Sequence, residues 1–437
     1  MPILVLGTMD HCDSGTSARL KAMVVPGAHI PPIAVSTGYR LGLALGAVIA
    51  GLFPLLYVAL VVLVAWAVGS VALTCGLVPG ATSNFPSLAG LFAFLVGGCL
   101  LIFSLLKPLV ARPGHTAEPH SLDPDKEPLL FAFIRELASS AGTLQPSSIA
   151  VDCNVNCCCS FAGGIGGFFR FTPVLLVGLP LVSGLGLDEL GGILAHELAH
   201  AAQTKALRSS RFLWSVHAWF SRVAFEPDQW DEELSRRMES AGAVTSLPLR
   251  LIRLLFALGR GVLRLMAVAE GAAVSIFLRR MELAADRCQV RVAGTGAFVS
   301  AALEVNLLAF AAQRAIVELS RTKRKGRLVD NYPGLTAAVR ERYSRQFVER
   351  VLSSLEGRET GRFSAHPSDK ERIALARGEN CRGILTAGLP AAILFAEYDA
   401  LCRQVTLEFY EQEFCLKRDS YEPVPLGSFV NELESVC

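Results

Sequence analysis

The sequence predicts a mainly helical α+β protein with a small β-hairpin or sheet, attached to an N-terminal transmembrane helical hairpin. Three observations predict this class. Hydrophobic residues make up 52% of the 437 residues, and the mean hydropathy of +0.43 is high for a soluble protein. From Leu41 to Leu106 there is no Asp, Glu, Lys, Arg or His. The later chain combines helical apolar spacing with two strand-like segments around a glycine-rich turn.

The uncharged stretch is too long for one bilayer crossing, which takes about 20 residues. Turn residues between Cys75 and Pro86 divide it into one span within Leu41–Thr74 and another within Ser87–Leu106. A buried helical hairpin of a soluble protein is the alternative, but such helices normally show a polar face. The stretch therefore predicts an integral, multi-pass membrane protein with the lipid bilayer as a partner.

Basic residues flank the predicted hairpin on both sides: Arg19, Lys21 and Arg40 precede it, and Lys107 and Arg112 follow it. The positive-inside rule then places both flanks in the cytoplasm. Residues 1–40 are expected to be a poorly ordered cytosolic tail, and the main domain should face the cytoplasm, in a bacterial inner membrane. The twelve cysteines include no CxxC pair and fit reduced thiols. The 41 basic and 39 acidic residues nearly cancel, so no nucleic-acid partner is expected.

Beyond the hairpin, we expect a linker over residues 107–128, a main domain over 129–380 and a C-terminal helical extension over 381–437. The local patterns predict a helix at Leu129–Ala141, a strand at Ser148–Val155, a turn at Gly163–Gly167, a second strand near Phe169–Val177 and a late helix at Pro390–Phe409. The two strands and their turn are interpreted as a β-hairpin. The glycine-rich turn lacks the Lys-Ser/Thr of a phosphate-binding loop, so a plain turn is favoured.

The segment His196-Glu-Leu-Ala-His200 lies in a stretch with helical apolar spacing. Residues four apart share one helix face, so both imidazoles can reach one ion at the usual Zn–N distance of about 2.0–2.1 Å. Glu197 then points beside the metal, where it can hold and deprotonate the water that attacks a peptide carbonyl. The alternative is two surface histidines on an ordinary helix.

Catalytic zinc needs a third protein ligand and an open position. Glu282 and Asp286 are spaced one helical turn apart, so one carboxylate can bind the metal while the other orients a ligand histidine. In isolation this pair would be interpreted as a solvated charged face. Beside HExxH, a metal site is favoured.

HExxH followed by ExxxD resembles the gluzincin family that includes the HtpX-type heat-shock membrane protease and the CAAX prenyl endopeptidase. Further similar segments are Pro146–Asn156, Asp188–Leu190 and Ser364–Ile373, so the resemblance covers roughly Leu129 to Leu375. It implies a zincin-like metallopeptidase domain with zinc as the cofactor. The residues that it implies are His196, His200 and Glu282 as ligands, Glu197 as the general base and Asp286 as a supporting carboxylate.

The resemblance also implies an edge strand at Asn156 that docks the substrate backbone, and it puts His366 and Arg372 near the substrate. One departure is that Cys157, Cys158 and Cys159 follow the asparagine, where the family usually has small or aromatic residues.

Between the ligands, we expect an amphipathic insertion at about residues 208–278. Arg250, Arg253, Arg260 and Arg264 share one helix sector, which favours a helix in the headgroup region. Leu265–Leu278 contains Glu270 and is short for a span, so an interfacial or core helix is favoured over a third crossing. The basic run Arg321–Arg327 is interpreted as a solvated loop that could touch anionic lipid.

Together these features predict a membrane-bound zinc endopeptidase that cleaves membrane or membrane-proximal proteins with a zinc-activated water, in protein quality control. Its partner is a protein or peptide substrate. Two alternatives stay open: a processing protease for one dedicated substrate, and a catalytically silent membrane scaffold that retains the fold. The complete set of His196, Glu197, His200 and Glu282 argues against the scaffold.

Overall fold

The computed structural model describes residues 14–24, 36–77, 88–111, 118–143, 145–161, 173–206, 208–242, 246–361, 364–385 and 388–435. The helices are α1 Ser14–Met23, α2 Thr37–Leu77, α3 Leu88–Val110, α4 Pro128–Ser140, α5 Leu179–Gly184, α6 Leu187–Ala206, α7 Arg208–Phe225, α8 Gln229–Ser240, α9 Ser246–Ala293, α10 Thr295–Lys323, α11 Tyr332–Glu341, α12 Arg345–Gly357, α13 Asp369–Glu379, α14 Tyr398–Glu413 and α15 Leu426–Ser435. The strands are β1 His120–Ser121, β2 Ser148–Asp152, β3 Cys157–Phe161, β4 Pro173–Gly178, β5 Arg327–Val329 and β6 Glu422–Val424. The predicted class, mainly helical with small sheets behind N-terminal apolar helices, is confirmed.

Helices α2 and α3 coincide with the two predicted spans. Only 17% and 22% of their most apolar windows are buried, so hydrophobic side chains cover most of their outer surface. The two helices pack closely, because a Cβ added to Gly98 would lie 2.8 Å from the Val68 side chain. Within the described residues, α9 and α10 are also long and apolar enough to cross a membrane. The chain is therefore a membrane protein.

Within the predicted insertion at about 208–278, helices α7 and α8 come first. The basic amphipathic segment and the 265–278 stretch then lie on one continuous helix, α9, of 48 residues. The guanidinium of Arg264 donates to the Ala224 carbonyl in the last turn of α7 (3.1 Å), and that of Arg260 donates to the Glu226 carbonyl just after α7 (2.7 Å). The 265–278 stretch mixes fully buried Glu270 with Leu265, which is 72% exposed. This part of α9 thus has one face in a protein core and one apolar face outside it.

Residues 14–24 of the N-terminal tail pack on the main domain. Helix α1 contacts α4, and Met23 is 2% exposed within the same hydrophobic core as α4 and α6. Val24 forms a β-bridge with Leu385. The expectation of a poorly ordered tail is wrong for these residues, because their apolar side chains have a core to enter.

The main sheet has the order β1-β2-β4-β3. Strands β2 and β4 pair in parallel, whereas β3 pairs antiparallel with β4 and forms an edge. The predicted hairpin between Ser148–Val155 and Phe169–Val177 is therefore wrong in its pairing, since β3 intervenes and makes the antiparallel contact. The predicted turn at Gly163–Gly167 lies outside the described residues.

Helix α6 runs through the centre of the domain. Its leucines at positions 187, 190, 194 and 198 are fully buried, as expected for a helix with one apolar stripe. Another face meets α9 so closely that a Cβ added to Gly192 would lie 2.7 Å from Ala293 Cβ. The late helix predicted at Pro390–Phe409 is a 3₁₀ turn at Ala391–Leu394 followed by α14, and both enter the same core as α6.

Candidate metal centre

Helix α6 begins at a fixed point of the domain. The N–H of Gly186 donates to Glu189 Oε2 (2.8 Å), and the N–H of Leu187 donates to the Leu389 carbonyl (2.8 Å). Two turns further along, His196 and His200 project from one face, with their Nε2 atoms 3.1 Å apart. The spacing of four residues thus brings the two imidazoles together without any distortion of the helix.

Helix α9 carries Glu282 to the same point. The Glu282 carboxylate oxygens lie 3.6 Å from His196 Nε2 and 3.5 Å from His200 Nε2. Tetrahedral zinc with ligand bonds of about 2.0–2.1 Å would separate its ligand atoms by about 3.3 Å. The 3.1 Å between the two Nε2 atoms is close to that value, and so are the contacts of His196 with Glu282 Oε2 (3.6 Å) and of His200 with Glu282 Oε1 (3.5 Å). Two imidazole nitrogens and one carboxylate at this spacing fit a zinc ion.

Asp286 lies behind His196, on the side away from the cluster. Its Oδ1 is 3.1 Å from His196 Nδ1, and the carboxylate is fully buried. Burial alone would lower the pKa of His196, but the contacts of its ring nitrogens with Asp286 and Glu282 raise that pKa to about 9. A carboxylate in this position fixes which nitrogen of a ligand histidine faces the metal.

The structure places Arg372 on Asp286. Its Nε and Nη2 donate to the two carboxylate oxygens at 2.9 and 2.6 Å, across 86 residues of sequence. Burial lowers the pKa of Arg372, but the Asp286 charge more than offsets this and raises it. The guanidinium is thus held on Asp286 through Nε and Nη2, and the expectation that Arg372 lies near the substrate stays a prediction.

Glu197 is half-buried beside His196 and accepts a hydrogen bond from the backbone N–H of Cys159 (3.2 Å). Sequence reasoning did not single out Cys159. The residue types gave no signal, because Cys157, Cys158 and Cys159 are identical and only the fold distinguishes buried Cys157 from exposed Ser160. Burial and the nearby Glu197 charge raise the pKa of the Cys159 thiol to about 12, so this thiol stays protonated at neutral pH.

Asn156 lies immediately before the edge strand β3. Its side chain is exposed, and its carbonyl accepts the N–H of Gly178 (2.7 Å). The approach is tight, because a Cβ added to Gly178 would lie 1.9 Å from the Asn154 carbonyl oxygen. The Asn156 carbonyl is thus engaged with the end of β4, and the edge that faces Glu197 begins one residue later.

His366 comes to the cluster from the segment before α13. Its Nδ1 is 3.3 Å from Glu282 Oε1, and its side chain is 66% exposed. The hydrogen bond with Glu282 raises the pKa of His366. Another ring that the sequence did not nominate, Trp214 of α7, stacks on His200 with centroids 5.9 Å apart and planes 16° apart. The cluster of ligand residues therefore has an exposed imidazole, His366, on one side and a stacked aromatic ring, Trp214, on another.

The model of peptidase family M48 matches residues 165–380 of the chain. This family contains HtpX and the CAAX prenyl protease, so the predicted relationship is confirmed. Neither a curated protein nor a solved structure matches the chain.

Proposed function

Because the model of peptidase family M48 matches residues 165–380, we propose that this chain is a membrane-bound zinc endopeptidase that cleaves membrane or membrane-proximal proteins in quality control. One observation carries the zinc proposal. His196, His200 and Glu282 place three ligand atoms within 4.8 Å of one another, and Glu197 directly follows His196 on the same helix. Three donors leave one tetrahedral position open for chemistry.

Zinc held by His196, His200 and Glu282 would act as a Lewis acid on water and on the scissile carbonyl. Glu197 is the general base: its carboxylate takes a proton from the attacking water and delivers it to the leaving amine. The Cys159 N–H holds one oxygen of this carboxylate, which leaves the other free for that proton. In this proposal the metal ligands and the general base are different residues, so Glu197 does not bind the zinc.

His366 and Arg372 have different parts in this proposal. His366 is exposed and near Glu282, so it can donate a hydrogen bond to the oxyanion that forms on the substrate. Arg372 acts through Asp286, whose contact with His196 Nδ1 keeps the imidazole oriented. We therefore assign Arg372 as a positioning residue.

The proposed substrate class, membrane or membrane-proximal proteins, is supported by the position of the candidate metal centre next to apolar helices. Glu282 lies little more than one helical turn beyond Phe277, and Phe277 packs against α2 so closely that a Cβ added to Gly46 would lie 2.7 Å from its ring. The candidate centre is therefore adjacent to apolar helices. The edge strand β3 can add an extended substrate segment through backbone hydrogen bonds, with Asn156 at its start.

We also propose that the catalytic domain faces the cytoplasm, in a bacterial inner membrane. The basic flanks of the hairpin support this, and so does the packing of α1, because Met23 enters the core of the peptidase domain ahead of the first span. A reporter after Arg112 should be cytoplasmic, and one near Ser83, outside the described residues, should be external. The reverse pattern in a protease-protection assay would overturn the orientation.

The activity is tested by zinc analysis and casein cleavage on the purified full chain, with and without a chelator. We expect cleavage that the chelator abolishes and added zinc restores. Glu197→Gln should keep its zinc yet lose about 10²- to 10⁴-fold in turnover, the scale for a general base. A zinc-loaded wild-type chain that cleaves nothing would support the silent scaffold, and undiminished turnover in the variant would exclude Glu197 as the base.

A further inference from the structure

A second cavity lies at the end of α3, remote from the metal centre. Its lining combines the last turns of α3 and α7, the start of α8 and the first half of α9, with the residues Ser104, Lys107, Pro108, Ala111, Arg222, Val223, Glu226, Pro227, Asp228, Phe256, Arg260 and Leu263. Arg260 and Glu282 both belong to α9, about 33 Å apart along a straight helix at a rise of 1.5 Å per residue. The cavity is therefore not part of the candidate active site.

Four charged groups form a network at one wall of this cavity, and three of them, Lys107, Asp228 and Arg260, belong to its lining. The Lys107 ammonium, whose side chain is 5% exposed, pairs with Asp228 (2.9 Å) and Asp231 (2.7 Å). Arg260 pairs with the same two carboxylates. These contacts fix the end of α3 to α8 and α9, so the wall is preformed.

Arg222 differs from these neighbours. It lies half-buried in the last turn of α7 and lines the cavity, yet within the described part of the chain its guanidinium has neither an ion pair nor a hydrogen bond. A guanidinium carries five N–H donors and no acceptor. An unpaired one at a cavity wall suits an anionic oxygen ligand, and a phosphate matches its fork geometry.

The local charge has the sign that a phosphate requires. Among the residues that line the cavity, Lys107, Arg222 and Arg260 are basic, whereas Glu226 and Asp228 are acidic. The difference is one positive charge. Since Lys107 and Arg260 are paired with carboxylates, Arg222 is the basic residue that can bind an added anion.

The surroundings of the cavity are those of a bilayer surface. Lys107 directly follows the second predicted span. Trp230 is 41% exposed, with its ring 5.4 Å from that of Phe103, and aromatic residues are enriched at headgroup level. Beside the cavity, α3 and α9 present exposed apolar side chains, including Val110 (73%) and Leu258 (53%). Acyl chains could lie on these faces while a headgroup enters the cavity.

We propose that this cavity binds the phosphodiester of an anionic glycerophospholipid, with Arg222 as its principal contact and with the acyl chains on the exposed faces of α3 and α9. Such a lipid would bridge the membrane hairpin to α7 and α9, the helices that carry Trp214 and Glu282. The proposal does not depend on peptidase activity, because it concerns a site with its own lining and its own cation.

The test is lipid binding by the delipidated full chain in detergent, measured by native mass spectrometry with phosphatidylglycerol or phosphatidylcholine. We expect tighter binding of phosphatidylglycerol, and Arg222→Gln should weaken that binding by about tenfold, the scale for one charge-assisted hydrogen bond. Arg222→Lys should retain most of the affinity. The matched control is Arg237→Gln on α8, which removes the same charge from a side chain that is 68% exposed and paired with Glu233.

Equal binding by wild type and Arg222→Gln, or equal losses in Arg222→Gln and Arg237→Gln, would overturn the proposal. Inorganic phosphate provides a further arm. If it displaced the lipid at concentrations comparable with that of the lipid, a free-phosphate site would replace the lipid site. Zinc content should be the same in all variants, so a failure here and a failure of the zinc proposal are distinguishable.

Discussion

Helix α9 carries two buried glutamates, and each of them contacts a histidine from a neighbouring helix. Glu282 meets His196 and His200 of α6, at 3.6 and 3.5 Å. Glu270 meets His217 of α7, at 2.8 Å. The second distance is that of a hydrogen bond, whereas the first two are too long for one and suit atoms that share an ion.

The difference lies in how many donors converge and what stands behind them. At Glu282 two imidazoles come from adjacent turns of one helix, and Asp286 with Arg372 supports one of them. At Glu270 a single imidazole uses its proton on the carboxylate, and Glu270 Oε1 has no partner among the described residues. A single buried His–Glu contact thus indicates a hydrogen bond that links two helices, whereas a metal site needs a third donor.

The sharpest test replaces each of these two glutamates with alanine. Glu282→Ala should lower zinc affinity by more than about 100-fold, beyond the 10- to 100-fold typical of residues that only support a ligand. Glu270→Ala should leave zinc content unchanged. Metal analysis and competition with a chelator measure both variants. Full zinc occupancy in Glu282→Ala would mean that another residue is the third ligand, and the contrast between the two sites would disappear.

His366 also contacts Glu282, so its role must be separated from ligation. His366→Ala should reduce turnover by about ten- to a thousand-fold, the range spanned by loss of one oxyanion donor, with zinc retained. Parallel kinetics and metal analysis decide it. Near-wild-type turnover would place His366 in the scaffold, whereas loss of zinc would make it part of the metal site.

Arg372 tests whether the support behind His196 matters. Arg372→Ala should weaken zinc binding by about 10- to 100-fold, because the buried Asp286 carboxylate loses its guanidinium partner and holds the His196 imidazole less firmly. Arg377→Ala is the control on the same helix, since its side chain is 59% exposed and pairs only with Glu356 among the described contacts. Unchanged zinc affinity together with a fall in turnover would mean that Arg372 acts on the substrate and not through Asp286 and His196.

The smallest effect is expected at the second histidine. His217→Ala should lower stability by about 1–3 kcal/mol, the cost of leaving buried Glu270 unsatisfied, without changing zinc content. Thermal inactivation of the purified chain measures it. The double variant His217→Ala, Glu270→Leu should recover part of the loss, because no buried charge then remains. A large loss of zinc in His217→Ala would show that the two sites are coupled.

Much of this protein is predictable from short-range patterns. Hydropathy located α2 and α3, and turn chemistry placed α4 before Gly142, whose φ of +62° suits glycine at a helix end. The spacing of His196 and His200 predicted a shared face because helix geometry fixes it. In each case the information lies within about one helical turn or one apolar segment.

Contacts between distant segments were decided only by the tertiary structure. The sequence could nominate Arg372, but its pairing with Asp286 joins residues 86 positions apart. Likewise, the Cys159 N–H reaches Glu197 only because β3 forms the sheet edge beside α6, and α1 is ordered only because a core is present to receive Met23. Local propensity fixes backbone periodicity, whereas the partner of a side chain depends on which elements pack together, and that is a property of the whole folded chain.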